Sequence, residues 1–199
     1  ARPVSCFPIE EAEGFFETSG TTGEVKGRHY FYDFDLYRVA IEASLRPLQE
    51  FALPGGLRRC WLPGVGERSS LGFMLEHLSG RGPAWPPTTG GGDQPVFLMG
   101  TALAFLHAFE AGCDPLPAGS WALETGGYKG SGREIPKSQL YQMFEQHLQI
   151  PSARIVNEYG MTELSSQMYE DVRRASGPER RYWVPGGVRV MAVDPETLE

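Results

Sequence analysis

Short apolar segments alternate with longer amphipathic ones along this chain. The clearest amphipathic stretch follows two aspartates that can cap a helix, Asp33 and Asp35, and ends near the Pro-Gly-Gly sequence at 54–56. Its apolar positions recur at steps of three and four residues, which predicts a helix. These positions are Leu36, Val39, Ala40, Ala43, Leu48 and Phe51.

Several shorter segments have the length and apolar character of strands. They are residues 15–18, 59–62, 96–99, 121–125, 153–156 and 186–193. Further helices are predicted at residues 70–78, 102–111 and 137–148, while residues 28–32 fit either a strand or the start of a helix, and loops are predicted at 80–95 and 157–163. Strands that alternate with helices in this way predict an α/β fold, in which helices are layered on a mostly parallel sheet.

The composition narrows the classes of function. With 199 residues, of which 41% are hydrophobic, the chain can bury a sizeable core. A net charge of −7 argues against a nucleic-acid partner, which requires a basic surface. No apolar run approaches the roughly 20 residues of a membrane span. The three cysteines, Cys6, Cys60 and Cys113, are widely spaced, which suggests reduced thiols in a cytoplasmic protein.

A loop rich in glycine and threonine follows the first predicted strand. Its glycines let the backbone approach a ligand, its amides and hydroxyls can donate to phosphate oxygens, and Lys26 adds a positive charge. The spacing is not that of a Walker A motif, so a P-loop is not indicated. A solvated surface turn is the alternative interpretation. The candidate phosphate-binding residues are Thr18, Ser19, Gly20, Thr21, Thr22 and Gly23.

A second candidate segment follows the strand predicted at 153–156, at the kind of position where α/β sheets place ligand sites. Tyr159 offers a ring that can stack on a purine, and Glu163 offers a carboxylate that can hold Mg²⁺ beside phosphates. Taken alone, the segment also fits a turn that ends the strand. Its residues are Asn157, Glu158, Tyr159, Gly160, Met161, Thr162 and Glu163.

The two segments together resemble a known superfamily. The sequence TSGTTGEVKG at 18–27 is similar to the phosphate-binding signature of the adenylate-forming enzymes, and NEYGMTE at 157–163 is similar to their Tyr-Gly-x-Thr-Glu signature. Between them, ETGGYKGSGREI at 124–135 matches the position of the glycine-rich adenine-binding segment. The chain most resembles the acyl-protein synthetase branch, typified by the luciferin-component ligase of bacterial bioluminescence. Phenylacetate-CoA ligases are the next most similar branch.

The resemblance implies a two-step reaction with ATP and Mg²⁺. A carboxylic acid, with a fatty acid as the first expectation, attacks the α-phosphorus of ATP to give an acyl-adenylate, and a thiol of a protein or of CoA then takes the acyl group. By the same resemblance, 19–23 would wrap the β- and γ-phosphates with Lys26 nearby, Thr162 would bond the α-phosphate and Glu163 would hold Mg²⁺. The residues expected around adenine and the carboxylate pocket are Gly126, Gly127, Tyr128, Tyr159, Gly160 and Met161.

The resemblance also suggests that residues 1–199 are one partial AMP-binding domain, the central part of the large N-terminal domain. The preceding segment and the C-terminal lysine-bearing domain would then be absent, and activity would be weak or missing. Ser69 and Ser70 are expected near the acyl pocket. The acyl-accepting cysteine of acyl-protein synthetases lies near the C-terminus, so none of the three cysteines is expected to act as acceptor. The alternatives are a CoA ligase of the same superfamily and a non-catalytic nucleotide-binding relative.

Overall fold

The computed structural model of the chain describes residues 7–18, 26–80, 82, 94–128, 131–174, 181–194 and 196–197. The first feature of the fold is a small antiparallel hairpin of two strands, β1 (Gly14–Glu17) and β2 (Arg28–Phe31). The Gly/Thr loop predicted from the sequence joins these strands. Its residues Ser19, Gly20, Thr21, Thr22 and Gly23 lie outside the described residues.

The main sheet has six strands in the order β3-β4-β5-β6-β7-β8. The first four strands are parallel, and the last two pairings are antiparallel. The mostly parallel sheet predicted from the alternating pattern is therefore confirmed. The strands are β3 (Arg58–Trp61), β4 (Val96–Thr101), β5 (Trp121–Thr125), β6 (Ile155–Met161), β7 (Ser166–Glu170) and β8 (Tyr182–Trp183).

Among the described residues, four helices cover the two faces of this sheet, so the α/β layering is confirmed as well. They are α1 (Asp35–Phe51), α2 (Ser70–Ser79), α3 (Ala102–Glu110) and α4 (Lys137–Met143), the last continued by a π-helical turn at Phe144–Leu148. Side chains of α1 and α2 share one hydrophobic cluster with the sheet, and those of α3, α4 and the π-helical turn share another. We refer to the two sides of the sheet as the α1/α2 face and the α3/α4 face.

Successive side chains of the buried strands point to opposite faces of the sheet, so one sheet contributes to both hydrophobic clusters. All five residues of β5 are buried. Leu123 packs into the cluster of the α1/α2 face, and its neighbour Ala122 packs into the cluster of the α3/α4 face. A strand covered on both sides has no solvent face, which is why it reads as a continuous apolar run until it reaches Glu124.

Helix starts follow the capping chemistry visible in the sequence. Asp33 Oδ1 accepts hydrogen bonds from the amides of Asp35 (3.0 Å) and Leu36 (3.3 Å) at the start of α1. Ser69 caps α2 by accepting from the Gly72 amide at 3.3 Å. Of the two predicted caps for α1, Asp33 supplies these hydrogen bonds from one residue before the N-cap position, which Phe34 occupies, and Asp35 is the first helical residue.

Two local predictions are wrong. Residues 157–163 are not simply a loop, because β6 continues to Met161 and pairs antiparallel with β7. Residues 186–193 form no strand; β8 is the last strand that the described residues contain, and Val190, Met191 and Val193 are exposed. A strand forms only where a neighbour supplies hydrogen-bond partners. Strand β7 supplies these partners to the end of β6. Nothing in the described part of the chain supplies them to 186–193.

The remaining expectations concern membrane spans and thiols. Within the described residues, no helix combines the length and apolar character needed to cross a membrane. Cys60 is buried in β3 and Cys113 is half-buried, and neither forms a disulfide within the described part of the chain. Cys6 lies outside the described residues.

Candidate functional site

A cleft of about 930 Å³ opens at the carboxyl ends of β5 and β6. Such an edge is where α/β sheets place their ligands. The hairpin strands, the segment leading into α2 and the β6–β7 hairpin form its walls. Its lining residues are Glu17, Thr18, Lys26, Tyr37, Gly66, Glu67, Arg68, Ser69, Ser70, Leu71, Met74, Thr125, Gly126, Gly127, Glu158, Tyr159, Gly160, Met161, Thr162, Glu163 and Gln167.

Residues from all three sequence motifs meet in this cleft. Thr18 and Lys26 come from the ends of the first motif, Gly126 and Gly127 from the second, and 158–163 from the third. Ser69 and Ser70, expected beside the acyl pocket, line it too. Segments more than a hundred residues apart along the chain thus share one surface.

Asn157 and Tyr128 are the two described candidates that do not line the cleft. The Asn157 amide donates to the Glu124 backbone oxygen (3.2 Å) and to its Oε1 (2.9 Å), and its Oδ1 accepts from the Tyr182 hydroxyl. Tyr128 packs against the cluster of the α3/α4 face, and its hydroxyl has no hydrogen-bond partner among the described residues. Both therefore hold the interior together on that face, and neither contributes to the lining.

The mouth of the cleft carries a cluster of cations that the sequence reasoning recognised only in Lys26. Glu17 lies within 4.0 Å of Lys26 (3.5 Å), Arg28 (3.9 Å) and Arg68 (4.0 Å). Three cations around one carboxylate leave a local excess of positive charge at Glu17, although Arg28 does not line the cleft and the carboxylates of Glu67 and Glu163 do. Both guanidinium groups also lie over the Phe15 ring, at 4.7 Å for Arg28 and 4.5 Å for Arg68. The side of the mouth at Lys26 and Arg68 is thus suited to bind an anionic group.

The position of Arg28 was readable from the sequence, because it follows the Gly/Thr loop in the next strand. Arg68 was not, since it reaches the cluster only through tertiary packing. Its backbone oxygen accepts a hydrogen bond from the Glu17 amide at 2.8 Å, which joins the segment before α2 to β1.

The glycines after β5 and the exposed tyrosine of β6 leave room for a flat group. Gly126 has a left-handed φ of +68°, which a side chain would make costly, and a Cβ built on Gly126 or Gly127 would meet nothing within 4 Å. Tyr159 is 48% exposed although it lies in a strand. Open space beside the glycines and an accessible ring fit a planar heterocycle.

Thr162 and Glu163 occupy a 3-10 turn that follows β6. The Thr162 and Ser70 hydroxyls share a hydrogen bond of 3.0 Å, which ties this turn to the first turn of α2. Glu163 is exposed at the cleft. The described residues contain no group of three or more His, Cys, Asp or Glu side chains placed to hold a metal. One carboxylate completed by substrate phosphates is a common way to bind Mg²⁺, so the residues present fit that ion.

The floor of the cleft is polar and buried. Glu158 is 5% exposed, and its Oε2 accepts a hydrogen bond from the Thr125 hydroxyl. Burial raises the pKa of the Glu158 carboxyl to about 7, with a smaller contribution from the charge of Glu124. Sequence reasoning grouped Glu158 with the nucleotide-binding residues, and nothing in the sequence showed that its side chain would be desolvated.

Tyr37 and Gln167 complete the floor and had no signal in the sequence. Gln167 Nε2 donates to the Tyr37 hydroxyl at 3.1 Å, and that hydroxyl donates to the Ser70 backbone oxygen at 3.2 Å. Burial, followed by the Glu158 charge, raises the pKa of the Tyr37 hydroxyl above its ordinary value. The hydroxyl therefore stays a donor, and it links α1, α2 and β7.

Gly160 is required by the position of Glu158. A Cβ at Gly160 would overlap Glu158 Oε1 and would lie 3.4 Å from its Cδ. We expect Gly160→Ala to cost about 1–3 kcal/mol of unfolding free energy in urea titrations, as overpacking does. Gly127→Ala, in the same cleft with open space around it, should change stability by less than about 0.5 kcal/mol.

A second variant, in which Glu158 is also replaced, tests whether the Glu158 carboxyl is the reason that Gly160→Ala is destabilising. When Glu158 is first shortened to serine, Gly160→Ala should become nearly neutral, because the overlapping oxygen is gone. An equal cost in both backgrounds would show that the backbone of β6, and not the carboxyl, excludes the side chain.

Comparison of the chain with models of known protein families finds no match, and comparison with curated proteins finds no similar sequence. The chemical interpretation of the cleft therefore depends on its own residues and their geometry.

Proposed function

We propose that the chain forms part of an ATP-dependent acid–thiol ligase that activates a carboxylic acid as an acyl-adenylate, as the acyl-protein synthetases do. The observation that carries the proposal is the convergence of the three motifs on one cleft with a cationic mouth. A surface turn or a turn that merely ends a strand would not require these segments to meet.

Each part of the cleft has a task in this reaction. The cations around Glu17 attract the triphosphate, and their charge stabilises the pyrophosphate that leaves. The space beside Gly126 and Gly127 takes the adenine, with Tyr159 as its stacking partner. Thr162 bonds the α-phosphate, and Glu163 would hold Mg²⁺, whose charge would offset that of the phosphates.

The chemistry needs positioning more than it needs a reactive side chain. A carboxylate oxygen attacks the α-phosphorus, and the bond to the bridging oxygen of pyrophosphate breaks. Both reactants are anions, so the site must offset their repulsion while it holds them in line. The cluster at Lys26 and Arg68 supplies positive charge, and the Ser70–Thr162 hydrogen bond fixes the turn that faces the α-phosphate.

The acceptor thiol comes from outside the described cleft. Cys60 is buried in β3 and Cys113 follows α3, and neither lines the cleft. CoA and the cysteine of a protein are both compatible acceptors. Transfer assays that supply each thiol to the activated acid separate an acyl-CoA ligase from an acyl-protein synthetase.

Calorimetric titration with Mg-ATP tests the proposal. Tyr159→Ala should weaken binding about tenfold, because base–aromatic stacking contributes about 1–3 kcal/mol. Tyr32→Ala is the matched control, since Tyr32 is 58% exposed and lies outside the cleft lining. Glu163→Gln should reduce the Mg²⁺ dependence of binding, and Glu145→Gln, on the exposed side of the π-helical turn, should not.

A folded chain that binds no Mg-ATP would reject nucleotide binding by these residues. Binding that Tyr32→Ala and Tyr159→Ala weaken equally would place the nucleotide elsewhere on the protein.

A further inference from the structure

The turn that carries Thr162 and Glu163 depends on other elements for its position. It is a single 3-10 turn of three residues, Thr162–Leu164, with no side-chain cap at its start and no buried residue. Such a short turn has few hydrogen bonds of its own, and without core packing its orientation is set by contacts from outside. The described residues supply one such contact at each end of the turn.

The contact at the start of the turn is the hydrogen bond between the Thr162 and Ser70 hydroxyls (3.0 Å). Ser70 is itself held, because its backbone oxygen accepts from the Tyr37 hydroxyl at 3.2 Å. That hydroxyl in turn accepts from Gln167 at 3.1 Å, and both Tyr37 and Gln167 are buried. This end of the turn is therefore anchored to the interior of the α1/α2 face.

The contact at the other end of the turn comes from His29, which lies outside the cleft lining. His29 Nε2 and the Ser165 hydroxyl share a hydrogen bond of 3.0 Å, although the two residues are 136 positions apart in the chain. The imidazole packs edge-on against the Phe31 ring, with 4.9 Å between the ring centroids. Because Phe31 belongs to the core cluster of the α1/α2 face, the packing of β2 determines where the imidazole lies.

Ser165 has a backbone conformation that requires support. Its φ of +51° and ψ of 28° lie in the left-handed region, which is unfavourable for a residue with a side chain. A strained conformation of this kind persists where the surrounding contacts hold it. The hydrogen bond to His29 is such a contact, at the residue that separates the turn from β7.

His29 also joins the turn to the hairpin that contains the candidate phosphate loop. It follows Lys26 by three residues, and Lys26 lines the cleft while forming a 3.5 Å ion pair with Glu17. The two segments proposed to contact the phosphates are thus connected through the His29–Ser165 hydrogen bond.

We propose that His29 is a positioning residue of this site, whose hydrogen bond to Ser165 holds the Thr162–Glu163 turn so that Thr162 faces the α-phosphate. The inference depends on the proposed nucleotide binding and adds to it a residue that does not touch the ligand. Without this bond Ser165 can leave the left-handed conformation, and the turn can move about the Ser70 anchor that remains. Contacts with the phosphate should then be lost, while contacts with the base are kept.

Calorimetric titration with AMP and with adenosine, which lacks the phosphate, measures this role. His29→Leu removes the hydrogen bond and keeps an apolar side chain against Phe31. It should weaken AMP binding about tenfold, as the loss of one hydrogen bond to a charged group does, and adenosine binding by less than about twofold. Equal weakening of both ligands would show that His29 supports the cleft only as a whole, and no weakening of either would show that it does not position the turn.

Two further variants test whether His29 acts through Ser165. His29→Gln places an amide near the position of Nε2, so it can keep the hydrogen bond and should retain AMP affinity within about threefold. Ser165→Ala removes the same bond from the other side, so combining it with His29→Leu should weaken AMP binding no further than either change alone. Additive losses, or a loss with His29→Gln as large as with His29→Leu, would overturn the inference.

His77→Leu is the matched control. His77 Nε2 also shares a 3.0 Å hydrogen bond with a side chain, that of Glu42, and His77 lies outside the cleft lining. This variant should bind AMP and adenosine as the unaltered protein does. Circular dichroism of each variant checks that it is folded.

The same titrations separate this inference from the proposed function. A folded, unaltered chain that binds neither AMP nor adenosine would reject the nucleotide site and the inference with it. An unaltered chain that binds both ligands, with His29→Leu weakening neither or weakening both equally, would keep the nucleotide site and reject the inference alone.

Discussion

Glu158→Gln is expected to make the protein about 3 kcal/mol more stable than the unaltered chain at pH 8, and to leave its stability near pH 4 almost unchanged. Few substitutions at a ligand cleft stabilise a protein by this amount. The reason is that glutamine keeps the size and hydrogen bonding of the protonated acid and cannot ionise.

The direction of this stability change follows from the pKa of the Glu158 carboxyl. Burial raises the pKa of Glu158 from 4.5 to about 7, so the folded chain holds a proton that the unfolded chain has lost between these pH values. Stability therefore falls by about 1.4 kcal/mol per pH unit between about pH 4.5 and 7, and is constant above that range as far as this group is concerned. The Thr125 hydroxyl and the charge of Glu124, both in β5, act on the pKa of Glu158, and the Glu158 charge in turn raises the pKa of Tyr37 in α1 and of Tyr169 in β7.

Urea unfolding of both proteins between pH 4 and 8 measures the effect as a difference, so other titrating groups cancel. Glu145→Gln, at an exposed position, controls for the loss of a carboxylate in general. A difference between Glu158→Gln and the unaltered protein that does not change with pH would show that Glu158 is solvated in the folded state.

Glu124→Ala is expected to destabilise the fold by about 3 kcal/mol, because it leaves buried donors without an acceptor. Glu124 is 2% exposed in β5, and its Oε1 lies within hydrogen-bond distance of Lys137 Nζ (2.8 Å), Asn157 Nδ2 (2.9 Å) and the Tyr141 hydroxyl (3.1 Å). The side chain of Lys137 is 37% exposed, so water can solvate its ammonium group. Asn157 is 9% exposed; its amide keeps the Glu124 backbone oxygen as an acceptor, but the N–H group that donates to Oε1 is left without one.

Two further substitutions separate charge from hydrogen bonding. Glu124→Gln keeps an acceptor for Asn157 and loses only the ion pair with Lys137, so we expect a cost of about 1 kcal/mol. Glu145→Ala, at an exposed position, should stay within about 0.5 kcal/mol of the unaltered protein. If Glu124→Ala costs no more than Glu145→Ala, the network on the α3/α4 face does not stabilise the fold.

The Glu124 network also explains why a motif residue can be structural. Asn157 and Glu158 are adjacent in the sequence, and both were candidates for the nucleotide site. Because neighbouring residues of a strand face opposite sides of the sheet, Glu158 reaches the cleft on the α1/α2 face while Asn157 joins Glu124 on the α3/α4 face. A loop at 157–163, as the sequence predicts, would not separate the two side chains in this way.

The amino-acid sequence by itself determined the α/β class, the four helices and the three motifs. These features depend on local periodicity, on capping and on the conformational freedom of glycine, all of which act over a few residues. The helix starts at Ser70, Ala102 and Lys137 accordingly match their predictions. Whether a predicted strand pairs is not a local property, and so 186–193 was misjudged and β7 was missed.

Only the tertiary structure decided which side chains share the cleft and what their burial, protonation and hydrogen bonding are. Tyr37, Arg68 and Gln167 reach it from three different elements, and none has a distinguishing sequence context. The raised pKa of Glu158 arises from burial among residues distant in the chain. Desolvation depends on the whole packing arrangement, so a pattern read along the chain can name a candidate carboxylate but cannot show whether it is buried.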